Sequence, residues 1–164
     1  MLAVTLCLSI LVLSGCRSNG GVEVVDDLGP VEILDGDYPL SAAWGENPGN
    51  IVQGVYFENV YFEFDSSRIA RSERSKIEAV ADHLGRNTGH RALLVGHCDE
   101  RGSGEYNMAL GERRALAARA YLIGLGIDPS RVLTKSYGEE QPEDPGHHES
   151  SWRLNRRADF VIYE

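Results

Sequence analysis

Arg91-Ala-Leu-Leu-Val-Gly-His-Cys-Asp99, then Glu-Arg-Gly-Ser-Gly104, then Glu105 to Ile123: these three consecutive stretches decide how this chain folds. The first, from Arg91 to His97, is an apolar run of strand length bounded by Gly. The second is a glycine loop carrying Gly102 and Gly104. The third is rich in Ala and places Tyr106, Leu110, Ala117, Ala120 and Tyr121 on one broad face, the mark of a packed helix. Gly124-Leu-Gly126 stops that helix, and Asp128-Pro129-Ser130 turns the chain into a strand over Val132 to Tyr137. Upstream, Val60, Phe62 and Phe64 alternate with Tyr61, Glu63 and Asp65, a strand with one buried face. Ser66 and Ser67 offer N-caps. Ile77, Val80, Ala81 and Leu84 follow at helical spacing, with Ile69 and Ala70 extending the face, until Asn87 to Gly89. Downstream, a polar, Pro-containing segment spans Gly138 to Ser150. Asn155-Arg156-Arg157 then leads into a last strand, Ala158 to Tyr163, and Ile51 to Phe57 reads as an extra edge strand. The order β-α-β-α-β-β defines an α+β two-layer sandwich, a mixed four-stranded sheet with two helices on one face.

The N-terminus is different in kind. Leu2 to Leu13 is almost wholly apolar, too short for a membrane-spanning helix and suited to a secretory signal. Leu13-Ser14-Gly15-Cys16 resembles the lipobox of bacterial lipoproteins, in which the peptide is cut before a Cys that carries lipid. The expectation is a signal over 1–15 and a lipid-anchored Cys16. No Lys or Arg precedes the apolar run, which points to a start upstream of Met1. Residues 16–50 read as an anchored, flexible acidic tether, rich in Gly, Asp, Glu, Asn and Pro, and 51–164 as the folded domain. Cys7 leaves with the signal and Cys16 carries lipid, so Cys98 stands alone and a hydrophobic core must supply stability.

Of the 164 residues, 42% are hydrophobic and 25% charged, and the formal charge is -9 without a basic run. That balance argues against nucleic acid as a partner. An enzymatic reading would begin from His97-Cys98-Asp99. Consecutive strand residues point to opposite faces, so His97 and Cys98 do not form a dyad. His147-His148 lacks the ligand spacing of a zinc site, and no phosphate-binding glycine loop is present. Neither a cofactor nor a metal is expected, and the chain reads as a binding protein.

Val60-Tyr-Phe-Glu-Phe-Asp65-Ser, Gly96-His-Cys-Asp-Glu-Arg-Gly102, Glu105-Tyr-Asn-Met-Ala-Leu-Gly-Glu-Arg-Arg-Ala115, Ser136-Tyr-Gly138 and Asn155-Arg-Arg157 occur in family order and spacing. Together, over residues 55 to 164, they resemble the OmpA-like peptidoglycan-binding domain, and within that family the peptidoglycan-associated lipoproteins. The resemblance implies a ligand, the diaminopimelate of peptidoglycan stem peptides, whose far end holds an ammonium and a carboxylate on one carbon. It assigns Asp99 to the ammonium and Arg114 to the carboxylate, an anion and a planar cationic fork held close together. Asn107 braces the pocket, Leu110 belongs to it, and Asp65 and Ser66 line the opposite wall. Cys98 stands where many relatives have Thr. The resemblance further implies an outer-membrane location and a Tol-system partner such as the TolB propeller. Arg17, which is not Asp, agrees with that location.

Alternatives stand beside these assignments. Asp99 and Arg114 could simply pair with each other, a contact worth about 0.2–1 kcal/mol when exposed. Asn155, Arg156 and Arg157 read either as a cationic rim or as a clamp on strand-end carbonyls, the clamp being favoured. Arg113 is expected in a salt bridge, and Tyr106 and Tyr137 in packing. A protein-protein interaction module with a degenerate pocket is the competing function.

Overall fold

Four strands order the domain: β1 (Val60–Tyr61), β2 (Arg91–His97), β3 (Val132–Gly138) and β4 (Arg157–Tyr163). The computed structural model describes residues 49–164. The expected signal, Cys16 and all but the last residues of the tether lie outside the described residues. In space the strands run β1-β4-β2-β3, with β4 antiparallel to both its neighbours and β2 parallel to β3. Parallel strands need a crossover, and α2 (Gly104–Gly124) supplies it, while α1 (Arg74–Arg86) lies between β1 and β2 in sequence. Ala92 and Leu94 of β2, Val132 of β3, and Ala158 and Ile162 of β4 form one buried cluster with Ile77, Val80 and Leu84 of α1 and Ala115, Ala118 and Leu122 of α2. Burying side chains of this size contributes roughly 1.5–3 kcal/mol each. This is the expected α+β mixed sheet with helices packed against it.

Five local expectations are corrected. The first strand ends at Tyr61 rather than Phe64. Phe62 still donates its N–H to the Arg156 carbonyl, but Phe64 is exposed and Asp65 turns left-handed at φ 53°. No helix starts at Ser66 or Ser67. Ser66 Oγ instead accepts from the N–H of Arg68, Ala70 is extended, and the helical turns begin at Arg71. The carbonyls of Glu63 and Ser66 bond Arg114, so the Ser66 carbonyl is committed away from a helical ladder.

The buried stripe of α2 is Asn107, Leu110, Gly111, Arg114, Ala115, Ala118 and Leu122, and of the expected face only Leu110 belongs to it. Two polar side chains in that stripe disguise its period. A third helix, α3 (Glu149–Asn155), occupies the end of the polar segment. Two turns are too short to show periodicity, and its cap is a His148 side chain accepting from the Ser151 N–H, not one of the usual cap residues. At the N-terminal edge, Ile51 makes a single antiparallel bridge to Tyr163 rather than a strand.

Close approach of α2 to the sheet is set by glycine. A Cβ on Gly96 would lie 1.9 Å from the Gly111 carbonyl oxygen, and one on Gly111 would lie 2.3 Å from Ser136 Oγ. This seam seats the first half of α2 directly on the C-terminal ends of β2 and β3. The site forms there.

Candidate functional site

Where β2 runs out at His97, the chain continues through Cys98 and Asp99 into the glycine loop, and α2 starts at its far side. Ser103 caps α2 by accepting the Tyr106 N–H at 3.2 Å. Asn107 and Arg114, two turns apart on the sheet-facing stripe, are thereby brought against Cys98 and Asp99. The result is a hollow of about 210 Å3 lined by Phe64, Asp65, Cys98, Asp99, Arg101, Gly102, Tyr106, Asn107, Leu110 and Arg114.

Arg114 is 0% exposed, yet among the described residues its guanidinium bonds only neutral acceptors. Nε donates to the Ser66 carbonyl (2.9 Å), Nη1 to the His97 carbonyl (2.7 Å) and to Cys98 Sγ (3.3 Å), and Nη2 to the Glu63 carbonyl (3.2 Å). A guanidinium has five N–H donors, so one on Nη2 stays uncommitted and another faces only a weakly accepting sulfur. Burial pushes the Arg114 pKa down, the direction for a cation taken out of water. The site holds a fixed positive charge tied to backbone.

Asp99 is 4% exposed and engaged by two other cations. Its Oδ1 accepts from the Arg101 N–H and Nε, both at 3.1 Å, and its Oδ2 from Arg101 Nη2 at 2.8 Å and Arg156 Nη1 at 3.1 Å. Burial raises the Asp99 carboxyl, but the bonds from Arg101 and then Arg156 outweigh it and hold it below its ordinary value. Asp99 and Arg114 therefore share a hollow without pairing with each other, and the simple mutual pair is set aside.

The other expected residues fall around these two. Asn107 Nδ2 donates to the carbonyls of Asp99 (3.2 Å) and Arg101 (3.3 Å) and to the Glu139 carboxylate, bracing the loop that carries Asp99. Leu110 is a buried apolar wall. Asp65 accepts the Tyr106 hydroxyl across the mouth. Ser66 takes part through its carbonyl, and its side chain is turned to Arg68. None of Asn155, Arg156 and Arg157 lines the hollow. Arg156 clamps the Phe62 carbonyl (3.1 Å) while bonding Asp99 and Glu149; Asn155 ties to Asp144, and Arg157 to Asp159 and Glu143.

Arg113 lies over the Tyr106 ring at 5.6 Å instead of entering the expected salt bridge. Phe64, Arg101 and Trp152 are the participants that sequence reasoning missed. Arg101 followed Asp99 by two residues, which places it within reach of that carboxylate. Trp152 carried no such signal.

The Cys98 thiol donates to the Asn107 carbonyl at 3.2 Å, and burial pushes its pKa up to about 11. His97 points the other way, with Nε2 3.2 Å from Asp159 and its ring against Tyr137. These two side chains form no nucleophile–base pair. His147 bonds Glu100 at 2.6 Å, and His148 caps α3.

A mixed sheet with a charge-lined hollow at the end of its inner strands defines an α+β ligand-binding module. The sequence profile of the OmpA family matches residues 61–156. The chain belongs to that family, and its full-length relatives are peptidoglycan-associated lipoproteins. That of Pseudomonas aeruginosa is 39% identical over 94% of this chain and 92% of its own length, and that of Pseudomonas putida 38% identical over the same shares. The crystal structure of the peptidoglycan-associated lipoprotein from Burkholderia pseudomallei, 40% identical, superposes with a TM-score of 0.62 over 63% of this chain and 88% of that one. The C-terminal domain of Helicobacter pylori MotB shares the fold at 21% identity and a TM-score of 0.61.

Proposed function

We propose that this protein is a lipid-anchored outer-membrane protein that grips peptidoglycan non-covalently and so links that membrane to the cell wall. The observation that carries it is the hollow itself: a carboxylate and a guanidinium that face one small cavity and do not neutralise each other. An amino-acid head group presents the complementary pair. Its ammonium goes to Asp99, its carboxylate to the uncommitted donor of Arg114, and Leu110 packs its methylenes. Within peptidoglycan, the free end of diaminopimelate has this form. Asp65 and Asn107 shape the walls, the Ser66 carbonyl holds Arg114 in place, and Cys98 takes the seat of a hydroxyl. Relatives named for peptidoglycan association support the ligand. The lipobox-like Leu13-Ser-Gly-Cys16 supports the anchor, and the family supports a place in the Tol system with TolB as partner. No bond is made or broken, in keeping with the protonated thiol and the separated His97.

Sedimentation with purified sacculi tests the reading. Asp99→Asn, which keeps shape and removes charge, should weaken binding about tenfold or more, equivalent to roughly 1.4 kcal/mol. Arg114→Met should abolish it. A parent that does not sediment, or an Asp99→Asn protein that sediments like the parent, points to a protein-protein interaction module instead.

A further inference from the structure

We infer that Arg101 is a built-in stand-in for the ligand's cation, a plug that must leave Asp99 before the hollow can be filled. The inference rests on the reading of Asp99 as the ammonium acceptor and adds how access to it is controlled. A carboxylate offers about four lone-pair sites, and in this structure all four are taken. Arg101 fills three, through its N–H, Nε and Nη2, and Arg156 fills the last. An ammonium arriving at Asp99 finds nothing to bind.

The two arginines differ in how firmly they are held. The Arg156 side chain is 4% exposed and is also fixed to the Phe62 carbonyl and Glu149. That of Arg101 is 31% exposed, and beyond Asp99 its one ion pair among the described residues is a long contact to Glu149 at 3.7 Å. The rest of its environment is aromatic: its guanidinium carbon lies 4.1 Å from the centre of the Phe64 ring and 4.2 Å from that of Trp152. A cation between two rings is held by weak, non-directional attraction, a seat it can leave and re-enter. Swinging out frees one site on each Asp99 oxygen and opens the covering side of a hollow whose two key charges are otherwise buried. Glu149 and the vacated rings stay behind, where they can take a second cationic group.

Displacing an internal competitor lowers apparent affinity by the fraction of molecules in the open state. Removing it should restore that affinity. Titrating the full-length protein with a soluble muropeptide carrying diaminopimelate, Arg101→Met should bind about tenfold tighter than the parent. Trp152→Ala, which removes one wall of the seat, should move in the same direction by less, and it keeps the test open if the first variant folds poorly. Equal or weaker binding by both folded variants, with a parent that binds, overturns the plug while leaving the peptidoglycan reading intact. A parent that fails to bind the muropeptide overturns both.

Discussion

Cys98 shows how one side chain can be read two ways. In sequence it sits between a His and an Asp, like a nucleophile. In the fold the residue is 3% exposed, and its thiol donates to the Asn107 carbonyl. Alkylation of native protein with iodoacetamide at pH 8 should therefore be slow and should accelerate on unfolding. Linkage gives the sign of the pH effect. With a folded pKa of about 11 against 9.0 for the free group, both states keep the proton below pH 9, and stability is unaffected there. Between pH 9 and 11 the unfolded thiol ionises first, so stability falls by about 2–3 kcal/mol across that window. Urea titrations of the parent and Cys98→Ser should show the steeper loss in the parent, the remainder coming from groups such as Tyr106 and Tyr121 whose pKa values are also raised. That Asp99 and Arg114 face one hollow was legible at this scale, because their chemistry and the family spacing agreed. The partners that share Asp99 were not, since Arg156 lies 57 residues away and reaches it only through the fold.

At the scale of elements, α2 positions the site. Its N-terminal turns must lie close enough to β2 for Arg114 to reach the His97 carbonyl, and the glycine seam permits it. Gly96→Val would drive a branched side chain into the backbone of Gly111 and lift the helix. The cost of such overpacking is typically 1–3 kcal/mol, and here it should reach the upper end or exceed it because the obstacle is backbone. Thermal melts should show the loss, with muropeptide binding falling alongside it. The helix itself was plain in the sequence, while its buried face was misread. An apolar period cannot reveal a stripe that includes Asn107 and Arg114, because those two are buried for their hydrogen bonds. The strand after Tyr61 failed for a related reason: Arg114 claims the carbonyls of Glu63 and Ser66.

For the molecule as a whole, two separate attachments are proposed: Cys16 in the membrane and the hollow on the wall. About 34 residues between the anchor and the domain could reach on the order of 110 Å if extended. The attachments should be separable. Cys16→Ser should abolish labelling with radioactive palmitate and release the protein from membranes, yet leave sedimentation with sacculi intact; loss of both together would contradict the division. What the sequence determined alone is whatever local pattern can express: the succession of the main strands and the two long helices, the lipobox-like start and the candidate charges. Only the tertiary structure decided which charges meet. Burial gives Arg114 to neutral carbonyls, the turn after β2 gives Asp99 to two other arginines, and two aromatic rings remote in sequence close over one of them. Such pairings depend on distances across the fold, and a one-dimensional pattern of residues contains no such distances.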